Sequence, residues 1–153
     1  MSRTVLPPRW VIRTIWRLHR GLVRAGRGRW GLSRPTPGGR FGMLRLRTTG
    51  RSSGRERAVV LGYVEDGSDL VTLAMNGWSA PDPAWWLNLR STPDAEVDLP
   101  STIRRVRARE ARGAERERLW ELVRSHDGYG RDLDAMAELR GRETAVVVLE
   151  PRD

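Results

Sequence analysis

The chain has 153 residues, 39% hydrophobic and 31% charged, with no cysteine and two histidines, His19 and His126. That balance fits one folded domain and excludes a disordered chain, disulfides and thiol chemistry, and it argues against a zinc site. The net charge of +9 divides unevenly: residues 1–57 hold fifteen arginines against one acid, Glu56, while residues 58–153 hold thirteen arginines against eighteen acids.

A basic first segment attracts phosphates, carboxylates, nucleic acid or anionic lipid. No apolar run approaches the roughly 20 residues that span a bilayer. The N-terminus lacks an apolar signal core with a small-residue cleavage site, so the expected compartment is the cytoplasm.

Residues 8–24, PRWVIRTIWRLHRGLVR, carry Val11, Ile12, Ile15, Trp16, His19, Leu22 and Val23 along one helical stripe, flanked by five arginines. Such a basic amphipathic helix packs its stripe on the domain or lies on a membrane surface. Residues 25–42 are rich in Gly, Arg and Pro and read as a linker. From residue 43 the pattern changes to strands: 43–48 and 58–64, then 70–75 after the Asp-Gly turn at 65–68.

Asp82 reads as the N-cap of a short helix, AWWLNLR, with Pro83 at its first position. A second hairpin, 95–99 and 103–109, follows. An amphipathic helix is expected over 114–125 and a loop with a helical turn over 126–139. The continuous apolar run TAVVVL, 144–149, reads as a strand buried on both faces. Hairpin-linked strands point to an antiparallel sheet, and six of them suit a small barrel.

The stretch RTTGRSSGRER, residues 47–57, joins the first two strands. It lacks the lysine-bearing phosphate-loop signature and does not open a helix. Its chemistry still suits an anion: Gly50 and Gly54 permit positive φ and free N–H groups. Ser52 and Ser53 add hydroxyls, and Arg51 and Arg57 offer forked donors. A solvated hairpin loop is the plain alternative. No serine-centred nucleophile motif occurs, and Trp85, Trp86 and Trp120 lie in apolar helix patterns that suit a core better than base stacking.

Three segments in order, TTGRSSGRER, DGSDLVTLAMNG and DPAWWLNLRSTP, resemble the deazaflavin-dependent nitroreductase and quinone reductase family. The resemblance runs from about residue 41 to the end. It implies a mainly β fold, a six-stranded split antiparallel β-barrel with flanking helices, of the flavin-reductase-like superfamily. It divides the chain into an N-terminal helix and linker, 1–40, and a cofactor-binding barrel, 41–153. It implies an oxidoreductase that passes a hydride from reduced coenzyme F420 to a quinone-like or nitroaromatic acceptor.

Carried over by position, Arg51, Ser52, Ser53, Gly54 and Arg57 would clamp the cofactor's phosphate and acidic tail. Ala74, Met75, Asn76 and Gly77 would run beside the deazaflavin ring. Pro83, Ala84, Trp85 and Asn88 would close the site. Tyr129 would contact the substrate or donate a proton. There are departures: Met75 stands where the family often has serine, and His126 and Asp132 stand where it often has tyrosines, so cofactor binding carries over better than substrate choice.

By the same analogy residues 8–24 would bring the protein to the inner face of the membrane, and a homodimer is in keeping with the superfamily. The competing readings are an FMN- or F420-binding carrier of the same fold, and a non-catalytic basic module for anionic lipid or nucleic acid.

Overall fold

The computed structural model describes residues 31–75, 81–128 and 133–153. The expected helix over 8–24 and the stretch 25–30 lie outside the described residues, as do Asn76, Gly77, Tyr129 and Asp132. Six strands close into one antiparallel barrel in the order β1-β2-β3-β6-β5-β4. They are β1 (Gly42–Thr49), β2 (Glu56–Asp66), β3 (Asp69–Leu73), β4 (Asp94–Asp98), β5 (Ile103–Glu110) and β6 (Val146–Pro151). Helix α1 (Ala84–Ser91) joins β3 to β4, and α2 (Gly113–Arg124) and α3 (Leu133–Leu139) lie between β5 and β6.

Alternation decides which side chains fill the barrel. On β1, Leu44, Leu46 and Thr48 are buried while Met43, Arg45 and Arg47 between them are half-buried. Leu44 pairs with Leu61 and Leu46 with Val59, so β1 and β2 turn one apolar row inward. Val147 and Leu149 of β6 join that interior. The other face of β6, Val146 and Val148, packs in a second cluster with Leu119 and Val123 of α2 and Leu133 of α3. A strand sandwiched between a barrel interior and a helix layer needs apolar residues at every position. That is why TAVVVL does not alternate.

The expected barrel is therefore present, with three local differences. Strand β3 stops at Leu73 rather than 75: Ala74 N–H still bonds Ala145 O at 2.9 Å, but Met75 N–H turns back onto Leu73 O at 2.9 Å. The region after residue 126 holds a seven-residue helix, α3, where a single helical turn was expected. Asp82 does not cap α1: Pro83 occupies the cap position with no side-chain cap bond. The Asp82 carboxylate instead binds Arg140 at 2.7 Å and Arg142 at 3.1 Å. Two guanidinium groups compete for a carboxylate better than neutral N–H groups do.

Helix α1 plugs one mouth of the barrel. Trp85, Trp86 and Leu89 enter the interior cluster, the two indoles meeting edge to face with centroids 6.4 Å apart. Burial of three such side chains fixes the helix against β1 and β5. Ahead of β1, Ser33 and Met43 exchange both backbone bonds at 3.0 Å. Asp127 N–H bonds Gly39 O at 2.8 Å and Phe41 N–H bonds Asp127 O at 3.2 Å. Gly128, at φ +113°, lies against the Phe41 ring so closely that no Cβ fits.

Candidate functional site

The β1–β2 connection and α1 together form a cleft of about 480 Å³. The loop is shaped first by its own backbone. Gly50 N–H bonds Arg55 O and Gly54 N–H bonds Gly50 O, both at 2.8 Å, and Arg55 N–H bonds Ser53 Oγ at 3.2 Å. The glycines are needed for different reasons. Gly54 has φ +69°, whereas a Cβ on Gly50 would sit 2.8 Å from Ser53 Oγ and 3.1 Å from Arg55 O.

The loop's N–H groups are therefore not all free, as the glycine spacing suggested. Those of residues 50, 51, 54 and 55 are used within the fold. Among the described residues the N–H groups of Ser52 and Ser53 have no partner. They are the two that remain for a ligand.

Asn88 holds the loop against the helix. Its Oδ1 accepts from Arg51 N–H at 3.1 Å and from Arg51 Nη1 at 3.2 Å. Its Nδ2 donates to Thr48 Oγ1 at 3.2 Å, and both residues are buried. One amide thus fixes the end of β1, the backbone of the loop and one guanidinium at once.

The cleft is electrostatically one-sided. Arg51 is followed along the chain by Arg55 and Arg57, and among the described residues none of these three pairs with a carboxylate. Arg45 and Arg47, earlier on β1, share the buried Asp98 at 2.6 and 2.8 Å. The loop's own acid, Glu56, lies 4.0 Å from Arg47. Among the described residues no acid lines the cleft, and α1 contributes an apolar wall, from Pro83, Ala84 and Trp85. Free guanidiniums at one side and a flat apolar wall at the other suit an elongated ligand, anionic at one end and aromatic at the other.

Of the residues singled out in the sequence, Arg51, Ser52, Ser53, Arg57, Pro83, Ala84, Trp85 and Asn88 all line this cleft. Gly54 shapes the loop without lining it. Ala74 is fully buried in the barrel interior beside Trp85 and Trp86. Met75 packs toward the outer cluster under α2 and α3. His126 is buried, and its Nδ1 lies 2.8 Å from Leu122 O, a bond that closes the end of α2.

Thr48, Gly50, Ala58 and Val59 also line the cleft and were not singled out as ligand contacts. Thr48 had a readable signal, since it continues the inward row of Leu44 and Leu46 to the strand end. The lining offers no carboxylate, histidine or tyrosine among the described residues, and no cluster there could hold a metal ion. Among the described residues no base lies in the lining beside the serines.

A family model for F420H(2)-dependent quinone reductase matches residues 16–151. Rv3178 of Mycobacterium tuberculosis H37Rv, named provisionally as an F420H(2)-dependent quinone reductase, is 33% identical over 122 residues, 80% of this chain and 96% of that protein. A solved F420-H2 dependent reductase, FDR-A, superposes with a TM-score of 0.61 at 27% identity, covering 71% of this chain and 93% of that one. A structure described as a domain-swapped dimer gives a TM-score of 0.66 at 26% identity, over 92% of this chain and 97% of that one.

Proposed function

The chain belongs to the F420H(2)-dependent quinone reductase family, and from that membership we propose a role for each wall of its cleft. The protein is an oxidoreductase that uses reduced coenzyme F420. When bound, that cofactor supplies the hydride, and the acceptor is a quinone or a quinone-like or nitroaromatic compound.

Arg51 and Arg57, with the N–H groups of Ser52 and Ser53, hold the cofactor's anionic groups. Gly54 sets the loop's turn. Pro83, Ala84 and Trp85 form the apolar wall against which a flat ring lies, and Asn88 keeps Arg51 aimed into the cleft. Asn76 and Gly77 flank the ring, on the segment that Ala74 and Met75 lead into from the end of β3. Tyr129 meets the acceptor and donates a proton to it. Residues 41–153 are the cofactor-binding domain. Residues 8–24 rest on the inner face of the membrane as a peripheral anchor, with 25–40 as the tether, and the protein works as a homodimer.

One observation carries the cofactor reading: two guanidiniums without carboxylate partners among the described residues, Arg51 and Arg57, line a cleft that α1 walls with apolar side chains. A polyanion with an aromatic body satisfies both halves. The anchor is supported by the five arginines that flank the apolar stripe of residues 8–24. No described helix is long and apolar enough to cross a membrane. The homodimer is supported by the similarity to a domain-swapped dimer.

The test is fluorescence titration with oxidised F420, with FMN in parallel. The wild type should bind the deazaflavin at micromolar concentration or below, and the Arg51→Ala, Arg57→Ala double variant should lose it. A wild type that binds neither would refute the cofactor site. Deleting residues 1–24 should lower binding to anionic liposomes; equal binding by both forms would dismiss the anchor.

A further inference from the structure

Arg140 follows α3 directly and is buried, its side chain having no exposed surface. Its guanidinium makes three described contacts. Nη2 donates to Asp82 Oδ1 at 2.7 Å, and Nη1 donates to Thr144 Oγ1 at 3.0 Å and to Glu143 O at 3.2 Å. Asp82, 12% exposed, receives Arg142 on its other oxygen. The pair spans the fold: Asp82 stands at the start of α1, and Arg140 stands at the corner between α3 and β6.

The start of α1 has no other polar side-chain anchor among the described residues. Pro83 cannot cap with its side chain, and its carbonyl receives only the ordinary first-turn bonds from Trp86 and Leu87. Pro83, Ala84 and Trp85, which form the apolar wall of the cleft, follow Asp82 without a break. A buried ion pair adds little net stability over an apolar pair of the same size, because both ions lose their water. What it does provide is a fixed distance and direction.

We propose that Arg140 is a positioning residue for the cofactor cleft: acting through Asp82, it fixes the start of α1 and so sets the wall opposite the arginine loop. This rests on the cofactor reading above. Removing the Asp82 charge frees the start of α1 and leaves Arg140 a buried cation without its carboxylate, which also lowers global stability. The cost specific to the site then falls on cofactor binding rather than on the chemical step.

The experiment uses the full chain and the variants Asp82→Asn, Arg140→Met and Arg140→Lys. Hydrogen exchange without cofactor should speed up markedly more in residues 82–91 of Asp82→Asn than in the strands. Deazaflavin Kd and cofactor KM should rise about tenfold, equivalent to about 1.4 kcal/mol, with kcat near the wild-type value. Arg140→Lys should recover most of the affinity, and Arg140→Met should not. If Arg140→Met fails to fold, Asp82→Asn alone carries the test.

Wild-type Kd in Asp82→Asn would overturn the proposal. So would faster exchange spread evenly through the barrel, which marks a purely structural pair. A wild type that binds no deazaflavin would strike the cofactor reading instead, and the exchange measurement would still decide whether the ion pair holds α1.

Discussion

Asn88 separates stability from ligand binding in a way that two substitutions can expose. Asn88→Ala removes three hydrogen bonds, at 3.1, 3.2 and 3.2 Å, to Arg51 N–H, Arg51 Nη1 and Thr48 Oγ1. All three are at the long end of the range, so each contributes roughly 0.5–1 kcal/mol. The Arg51 groups regain water at the exposed loop, but Thr48, 3% exposed, does not. The expected loss is about 2 kcal/mol, a fall of about 4–8 °C in Tm for a chain of this size.

Asn88→Asp behaves differently. The carboxylate keeps the acceptor for Arg51 and adds a charge, and the Thr48 hydroxyl can rotate to donate to it. Stability should stay within about 1 kcal/mol of wild type. Anion binding should reverse this order. The alanine variant leaves Arg51 mobile but cationic, and should weaken deazaflavin binding by about three- to tenfold. The aspartate variant places an acid in a cleft whose described lining has none, neutralises Arg51, and should weaken binding by more than about tenfold. Thermal melts and fluorescence titrations on the same preparations decide it. If affinity simply follows Tm across the two variants, Asn88 is a structural amide and the reasoning fails.

Tyr63 is fully buried and its hydroxyl has no hydrogen-bond partner among the described residues. Tyr63→Phe should therefore stabilise the fold by about 1 kcal/mol, or about 2–4 °C in Tm. Burial, helped by the Glu65 charge, pushes its phenol up to about 12 from 10.0. The unfolded chain ionises first, so wild-type stability should fall as pH rises from about 10 toward 12; urea melts at about pH 9 and 11 should show that loss in wild type and a smaller one in Tyr63→Phe. Burial and then the charge of Glu150 hold the Asp69 carboxyl above its ordinary value of 3.8. Ionised Asp69 thus costs stability at neutral pH, so Asp69→Asn should raise Tm at about pH 7 and leave it unchanged below about pH 3, where the carboxyl is protonated in both states. Turnover by Tyr129→Phe should drop; an unchanged kcat would remove the tyrosine from the mechanism.

What could be read in the sequence was local. The alternation of Leu44, Leu46 and Thr48, the Asp-Gly turn and the unbroken TAVVVL run each reflect a face toward or away from one core, and a face is written in neighbouring residues. Two features were misread because their causes lie outside the immediate pattern. Asp82 has the look of an N-cap until Arg140, 58 residues on, brings a buried cation to it. Gly50 and Gly54 suggest free N–H groups, yet the loop folds back so that Gly50 bonds Arg55 and is itself bonded by Gly54. Spacing shows which residue types are near one another, and it does not show which of their donors remain unused.

The same distinction governs charge. The excess of arginine in residues 1–57 is partly cancelled in the fold, because Asp98 and Glu96 of β4 come beside Arg45 and Arg47 of β1. At the β1–β2 loop the positive charge is not cancelled: Arg51, Arg55 and Arg57 are exposed and, among the described residues, without carboxylate partners. Exposed ion pairs contribute only about 0–1 kcal/mol each and weaken with salt. Two such forks fall far short of the roughly 8 kcal/mol that micromolar binding requires. At about 25 cal/mol per Å² the remainder needs roughly 250 Å² of buried apolar surface, about what a large aromatic ring supplies. On the proposed reading the arginines would attract and orient the ligand, and the Pro83–Trp85 wall would hold it. Inorganic phosphate alone should bind at millimolar concentration at best, and raising the salt should weaken deazaflavin binding without abolishing it. Phosphate binding as tight as that of the whole cofactor would mean that the loop acts without the wall.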